Sequence, residues 1–312
     1  MTLFCWVRMR LSISTALAGL ALIVGVTLAG CAGDNNSDGA VSVRAVASLE
    51  IFADMVRNVG GERVLVKALL PAGADPHTYE LPPNRVTDIA KADVVFVNGL
   101  GLEASIQDVI DNNADGGAIV LSEGLPVLRG DQTLAEEGET GGNPHMWLDA
   151  RLGAKYVERI RDALIAQDPA GRAVYEANAT AYLETLGNVD REMEAAVQSI
   201  PPERRKLVTF HDAYPYLAAR YGLEVVGVLV PSPGQEPSVQ DVARLAETIR
   251  DEGVPAVYTE PEFNSDVLEA AADEAGARVL DLLSDAYAGG VHSYVELMRY
   301  DLQQLQEGLG GS

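Results

Sequence analysis

Three histidines stand in settings that could ligate a metal ion. The chain has four in all, and His77, His145 and His211 each fall in a loop just after an expected strand or at the edge of a lobe, within Pro71–Pro83, Gly142–Asp149 and Thr209–Tyr214. A lone histidine is more often a surface or hydrogen-bonded residue than a ligand. Three gathered at strand ends, with almost none elsewhere, point to a shared site, because neutral imidazoles are good ligands for zinc and its neighbours. A carboxylate would complete the set. Asp285, in Leu282–Ala286, again follows an expected strand and is the favoured fourth donor, although spacing alone leaves Asp281, Asp212 and Glu260 equally eligible. Asp75 and Glu80 flank His77 and could hold its ring as acceptors, or could equally be turn residues. Trp147 is expected to pack beneath His145 rather than touch a metal. His292, behind Gly289-Gly290-Val291, is expected to be an exposed residue outside the site.

The elements that must position these residues are short apolar runs separated by helical patterns. Strands are expected at Val43–Ala47, Val64–Leu70, Val94–Val97 and Ala118–Leu121, with helices at Ile51–Val59 and Asn84–Ala92. The second half repeats the pattern, with strands at Lys206–Phe210, Glu224–Val230, Pro255–Tyr258 and Arg278–Leu282, and helices at Val239–Glu252 and Ser265–Ala275. Such alternation predicts an α/β fold of two βα-type lobes, each with a parallel sheet. Ligands of open α/β sheets bind outside the carboxyl ends of the strands, so loops of two such lobes could face each other across a cleft. Between the halves, apolar residues recur at Tyr175, Ala179, Tyr182, Leu186, Val189, Met193, Val197 and Ile200. Steps of three and four mark one face of a helix, and Pro201-Pro202 stops it. A long rigid helix over 168–200 is therefore expected to bridge the lobes, with Gly187 its weak point. A leucine-zipper dimer is the competing reading; flanking lobes offer the apolar face a nearer home, and a monomer is expected.

At the N-terminus, Arg8 and Arg10 precede an uncharged stretch from Leu11 to Leu28 that ends in Leu28-Ala29-Gly30-Cys31. This resembles a bacterial lipobox, in which the cysteine is lipidated and the bond before it is cut; a transmembrane helix is the alternative. The division expected is a signal peptide at 1–30, a flexible tether at 31–42, a first lobe at 43–167, the linking helix at 168–200 and a second lobe at 201–312. Lipid on Cys31 would hold the chain at the extracytoplasmic face of a membrane. The two cysteines, Cys5 and Cys31, then leave neither a disulfide nor a thiolate metal site for the globular part. Stability must come from a core, and about 270 residues suffice for two lobes. The net charge of −23 argues against nucleic acid and anionic lipid as partners.

Several segments together resemble the zinc- and manganese-specific substrate-binding proteins of ABC importers, the ZnuA/TroA-like family. They are the PAGADPHTYELPP loop (71–83), NGLGLE (98–103), NPHMWLD (143–149), TFHDAY (209–214), TEPEF (259–263) and SDA (284–286), in this order over nearly the whole chain from Val43 to Leu309. The resemblance implies two βα lobes bridged by one long helix. It also implies His77 and His145 as metal ligands from the first lobe, His211 and Asp285 from the second, and an ABC permease as partner. Manganese-preferring members usually carry Glu at the third ligand position; His211 there resembles the zinc type, so Zn2+ is the expected cargo, with Mn2+ or iron(II) as alternatives. Many zinc-uptake members carry a long His-rich loop before the second ligand. Here Leu128–Gly142 is short and acidic, with no histidine, and reads as a surface loop.

The rival class is a zinc hydrolase, with the three histidines as ligands and Glu80 or Glu260 as general base. Catalytic zinc keeps a coordination position open for water, whereas four protein donors close the site. Asp285 therefore discriminates a trap from a catalyst. Neither an HExxH helix nor a Gly-x-Ser-x-Gly elbow is present to support an enzyme. A surface adhesin is a third class that the residues leave untested.

Overall fold

The computed structural model describes residues 41–129, 142–231 and 233–310. The expected signal peptide at 1–30, Cys31 and nearly all of the tether lie outside the described residues, as does most of the acidic loop. Among the described residues, no helix is long and apolar enough to cross a membrane.

Each half of the fold begins from strands that bury β-branched side chains. The first sheet contains β1 (Val43–Ala47), β2 (Val64–Ala68), β3 (Val94–Val97) and β4 (Ala118–Val120), all parallel, in the order β2-β1-β3-β4. Every residue of β3 is buried, as expected of an interior strand covered on both faces. Its helices are α1 (Glu50–Gly60), α2 (Pro83–Ala90) and α3 (Gln107–Asn113), followed by α4 (Ala150–Gln167). A long helix, α5 (Arg172–Ser199), leads into the second half. There β5 (Lys206–His211), β6 (Glu224–Val230), β7 (Ala256–Thr259) and β8 (Arg278–Asp281) form a parallel sheet of order β6-β5-β7-β8, the same order as the first. Helices α6 (Pro215–Tyr221), α7 (Val239–Asp251), α8 (Asp266–Ala275) and α9 (Tyr294–Leu309) complete it. Local signals set several ends: Ser238 and Asp241 form a capping box at α7, and left-handed Gly222 and Gly276 close α6 and α8.

The strand order reverses direction between β1 and β3 in one sheet and between β5 and β7 in the other. Both switch points lie at carboxyl ends of strands, where α/β sheets bind ligands.

The expected bridging helix is present but begins later. Pro169–Gly171 form a 3-10 turn, and the α-helix proper has 28 residues, about 42 Å at 1.5 Å per residue. Its buried face carries Tyr175, Ala179, Tyr182, Leu186, Val189, Met193 and Val197, as the periodicity predicts. Burying each large apolar side chain is worth on the order of 1.5–3 kcal/mol. The helix packs against α1, α4 and α9, so it is the spine of a helical layer rather than an isolated strut. Gly187 leaves it unbroken. Buried Asp190 on this helix accepts from Arg151 of α4 at 3.0 Å and from Arg220 of α6 at 2.7 Å, which ties both halves to it.

The last helix also reaches back to the first half. The backbone N–H of Tyr294 donates to buried Asp54 of α1 at 3.0 Å, and its hydroxyl donates to the carbonyl of Trp147. Gly153 of α4 makes room for this ring: a Cβ there would sit 2.4 Å from the Tyr294 hydroxyl and 3.0 Å from its ring carbon. Gly153→Ala should therefore destabilise the protein by about 1–3 kcal/mol through overpacking, despite the better helix propensity of alanine. Urea unfolding would measure this, and a stabilised variant would show that Tyr294 is free to move.

Candidate metal centre

The four sequence-selected donors converge. His77 comes from the loop between β2 and α2, and His145 directly precedes a 3-10 turn at Met146–Leu148 that leads into α4. His211 is the last residue of β5, and Asp285 lies in the segment after β8. One donor atom from each of the four lies within 4.8 Å of all the others. The Nε2 atoms of His145 and His211 are 3.2 Å apart. Asp285 Oδ1 is 3.3 Å from His145 Nε2, and its Oδ2 is 3.5 Å from His77 Nε2 and 3.6 Å from His211 Nε2. A tetrahedron of donors about 2.0–2.1 Å from a central ion has edges of about 3.3–3.4 Å. The four separations of 3.2–3.6 Å lie near that edge, so the cluster has the scale to take one small dication.

Burial makes the cluster demanding. His145, His211 and Asp285 are at most 2% exposed, and both Asp285 oxygens and His77 Nε2 lack a hydrogen-bond partner. A buried carboxylate in that state is costly unless a cation meets it. Burial would raise the pKa of Asp285, but the imidazoles of His145 and His77 more than offset it and hold the group well below the usual carboxylate range. Burial pushes His145 and His211 down to about 4, despite the nearby Asp285 carboxylate. His77 is less enclosed, its side chain 13% exposed. Burial opposes its charged form too, yet the adjoining Asp285 carboxylate outweighs this and raises it. Two imidazoles therefore stay neutral, with lone pairs ready, while the third holds a proton more readily.

Outer partners fix which nitrogen faces the centre. His211 Nδ1 donates to Glu260 Oε1 at 2.8 Å, and the other Glu260 oxygen accepts from Ser284 Oγ. His145 Nδ1 donates to Asn143 Oδ1 at 3.0 Å. In both rings Nε2 is left facing the centre, where it could donate to a metal. The other eligible carboxylates are placed elsewhere: Glu260 sits behind His211, Asp281 accepts from Thr259 Oγ1 at 2.6 Å, and Asp212 lines the cleft. Asp75 does not hold the His77 ring; its carboxylate accepts from the His77 backbone N–H at 2.8 Å and from Thr78 Oγ1, which shapes the turn. Glu80 is exposed. Trp147 is buried with its ring centroid 5.2 Å from that of His145. His292 is exposed and away from the cluster, its backbone N–H donating to Glu296.

A cleft of about 250 Å³ leads to the centre, lined by Leu100, Gly101, Pro144 and Pro231 among others. Leu100 adopts a left-handed conformation (φ 54°) between Gly99 and Gly101, a state that costs a branched residue energy. Buried Glu103 holds this loop, accepting from Ser48 Oγ at 2.7 Å and from the backbone N–H groups of Asn98 and Gly99 at 2.7 and 3.0 Å. Asn98 in turn donates to the carbonyl of Pro144, next to His145. The positioning roles of Glu103, Asn98 and Asn143 were not read from sequence; the acid five residues beyond Asn98, at the end of a buried strand, is the signal that could have prompted the first.

The profile of the family described as ZnuA, zinc-uptake complex component A, periplasmic, matches residues 45–308. The manganese-binding lipoprotein MntA of Halalkalibacterium halodurans is 31% identical over 294 residues, covering 92% of this chain and 96% of its own. The iron-binding protein YfeA of Yersinia pestis is 29% identical over 292 residues, covering 91% and 92%. Among solved structures, the periplasmic zinc-binding protein TroA of Treponema pallidum aligns with a TM-score of 0.79 at 29% identity, over 86% of this chain and 100% of its own.

The proton states set an expected pH response. A metal held by these imidazoles would compete with protons for them, so its affinity would fall as pH drops through the pKa of the metal-free group. His77, raised above its ordinary value, is the first to compete; His145 and His211 enter only near 4. Apparent zinc affinity should then fall by about tenfold per unit between pH 6.5 and 5, the slope of one proton, and more steeply towards pH 4. Chelator competition would measure the slope, and a slope of two or three above pH 5 would mean that the buried imidazoles titrate normally.

Proposed function

Because the chain belongs to the ZnuA family, we propose that it captures zinc outside the cytoplasm through His77, His145, His211 and Asp285 and passes it to the permease of an ABC importer. The chain is a metal-binding substrate-binding component for ABC import, not an enzyme. The observation that carries the zinc reading is the donor set: three imidazole nitrogens and one carboxylate, with Asp285 3.3–3.6 Å from each imidazole, His145 and His211 3.2 Å apart, and all four donors within 4.8 Å of one another. Nitrogen-rich tetrahedral sites suit zinc better than the harder manganese ion. Four protein donors also leave no position at which water would be activated, which is the arrangement of a trap.

One observation favours manganese as the second reading. Both Asp285 oxygens face imidazoles, Oδ1 towards His145 and Oδ2 towards His77 and His211. A carboxylate binding through both oxygens would raise the coordination number above four and favour a larger, harder ion. Relatives named for manganese and for iron lie at comparable distances in sequence. The same proposal takes the chain as a monomer, held at the extracytoplasmic face of the membrane by lipid on Cys31. The Leu28–Cys31 segment supports that anchor, as do relatives named as lipoproteins.

Titration calorimetry on metal-free protein lacking residues 1–31 is the direct test. Zinc should bind tightly at one site and manganese more weakly. His211→Ala and Asp285→Ala should each lose more than about 100-fold in affinity, since even the outer partners of ligands are worth about 10–100-fold. Undiminished binding in Asp285→Ala would remove the fourth ligand and reopen the hydrolase reading; tighter manganese than zinc binding would reverse the choice of metal.

A further inference from the structure

The four donors come from two halves of the chain, so something must hold those halves in register at the scale of a metal–ligand bond. Two buried side chains, each within two residues of His145, cross from the first half to the second beside a ligand. Asn143 is 7% exposed. Its Oδ1 accepts from both the backbone N–H and the ring Nδ1 of His145, each at 3.0 Å. Its Nδ2 donates to the carbonyl of Asp212, the residue after His211, and its own carbonyl accepts from Tyr216 of α6 at 2.9 Å. Trp147 is fully buried. Its indole N–H donates to the carbonyl of Ser284 at 2.9 Å, one residue before Asp285, while its own carbonyl accepts from Tyr294.

The loop carrying His77 is tied differently. Its described hydrogen bonds run within itself, through Asp75, or to the first half, where Ser105 Oγ donates to the carbonyl of Pro76 at 3.3 Å. His77 is also the most exposed of the four donors.

Resting on the metal-capture reading, we infer that Asn143 and Trp147 are positioning residues that staple the two lobes on either side of the centre. His145, His211 and Asp285 then stand as a preassembled tripod before metal arrives, and His77 closes the cage. A preassembled set of donors avoids an ordering cost on binding. Parting the lobes would have to break both staples and bring the buried Trp147 ring towards water, so the metal-free protein keeps its lobes together.

Trp147→Phe keeps an aromatic ring and removes only the donor; Asn143→Leu keeps the volume and removes both roles of the amide. Each variant, checked by thermal unfolding, would be titrated with zinc by chelator competition, and small-angle scattering would be recorded with and without zinc. Wild type should show the same radius of gyration in both states. Each variant should expand without metal, contract on zinc addition, and bind zinc at least tenfold more weakly. Variants that match wild type in affinity and scattering would overturn the staples while leaving metal capture intact. Wild type that binds neither zinc nor manganese would instead sink the function itself. Should both variants fail to fold, the wild-type protein still decides: the Trp147 indole N–H must exchange slowly with solvent in the metal-free state, and rapid exchange would overturn the proposal.

Discussion

A buried carboxylate facing three imidazoles is the constraint on which the site depends. Asp285 is almost fully enclosed and its oxygens lack hydrogen-bond partners. Such a group is tolerable only where positive charge can be placed beside it. Raising the proton affinity of His77 meets part of that need in the free protein. A dication among the four donors would meet it fully and would displace the proton. Binding strength and proton release would then share one cause, the depth at which Asp285 is buried.

That depth requires scaffolding from both halves. The two sheets share one strand order and present their switch points to a common cleft, yet neither sheet alone supplies the four donors. The long helix α5 provides the register, with Asp190 gripping α4 and α6 through Arg151 and Arg220. The closing helix α9 adds a second tie through Tyr294, which reaches Asp54 and Trp147. A spine gripped from both halves at Asp190, with a second tie through Tyr294, restricts how far the lobes can part, which suits capture of an ion whose ligand shell tolerates errors of only a few tenths of an ångström.

Capture and catalysis are distinguished here by the count and direction of donors. Glu260, a conceivable general base, is committed to His211 and Ser284 behind the ligand layer. Glu80 is exposed on the loop. Among the described residues the carboxylate grouped with the three imidazoles is Asp285, and with a metal bound it would take the position that a catalytic site leaves to water.

Much of this was legible along the chain. Short apolar runs located each strand among the described residues, and steps of three and four the long helix, to within a few residues, because those patterns record burial within one element. The helices α3, α4, α6 and α9 escaped notice: α3 and α6 have only 7 residues each, and the buried positions of α4 and α9 are interspersed with charged and small residues, so that packing against α5 defines their face. His77, His145 and His211 stood out because histidine is scarce here and loops after strands are where ligands gather. The choice of Asp285 over Asp281 was different in kind. Asp281 ends β8 and Asp285 lies four residues further on; one turns to Thr259 and the other into the histidines. Spacing could not separate them, and family resemblance did. Likewise Asp75 could be read as an acceptor for the His77 ring or as a turn residue until its carboxylate was seen on the backbone. By itself the sequence determined the donor types, the elements that carry them and the periodicity of the spine, all of which are local properties of the chain. The tertiary structure decided which carboxylate meets the imidazoles, which nitrogen each ring presents, and how Asn143 and Trp147 reach the other half, because those depend on groups far apart in the chain arriving within about 3 Å of one another.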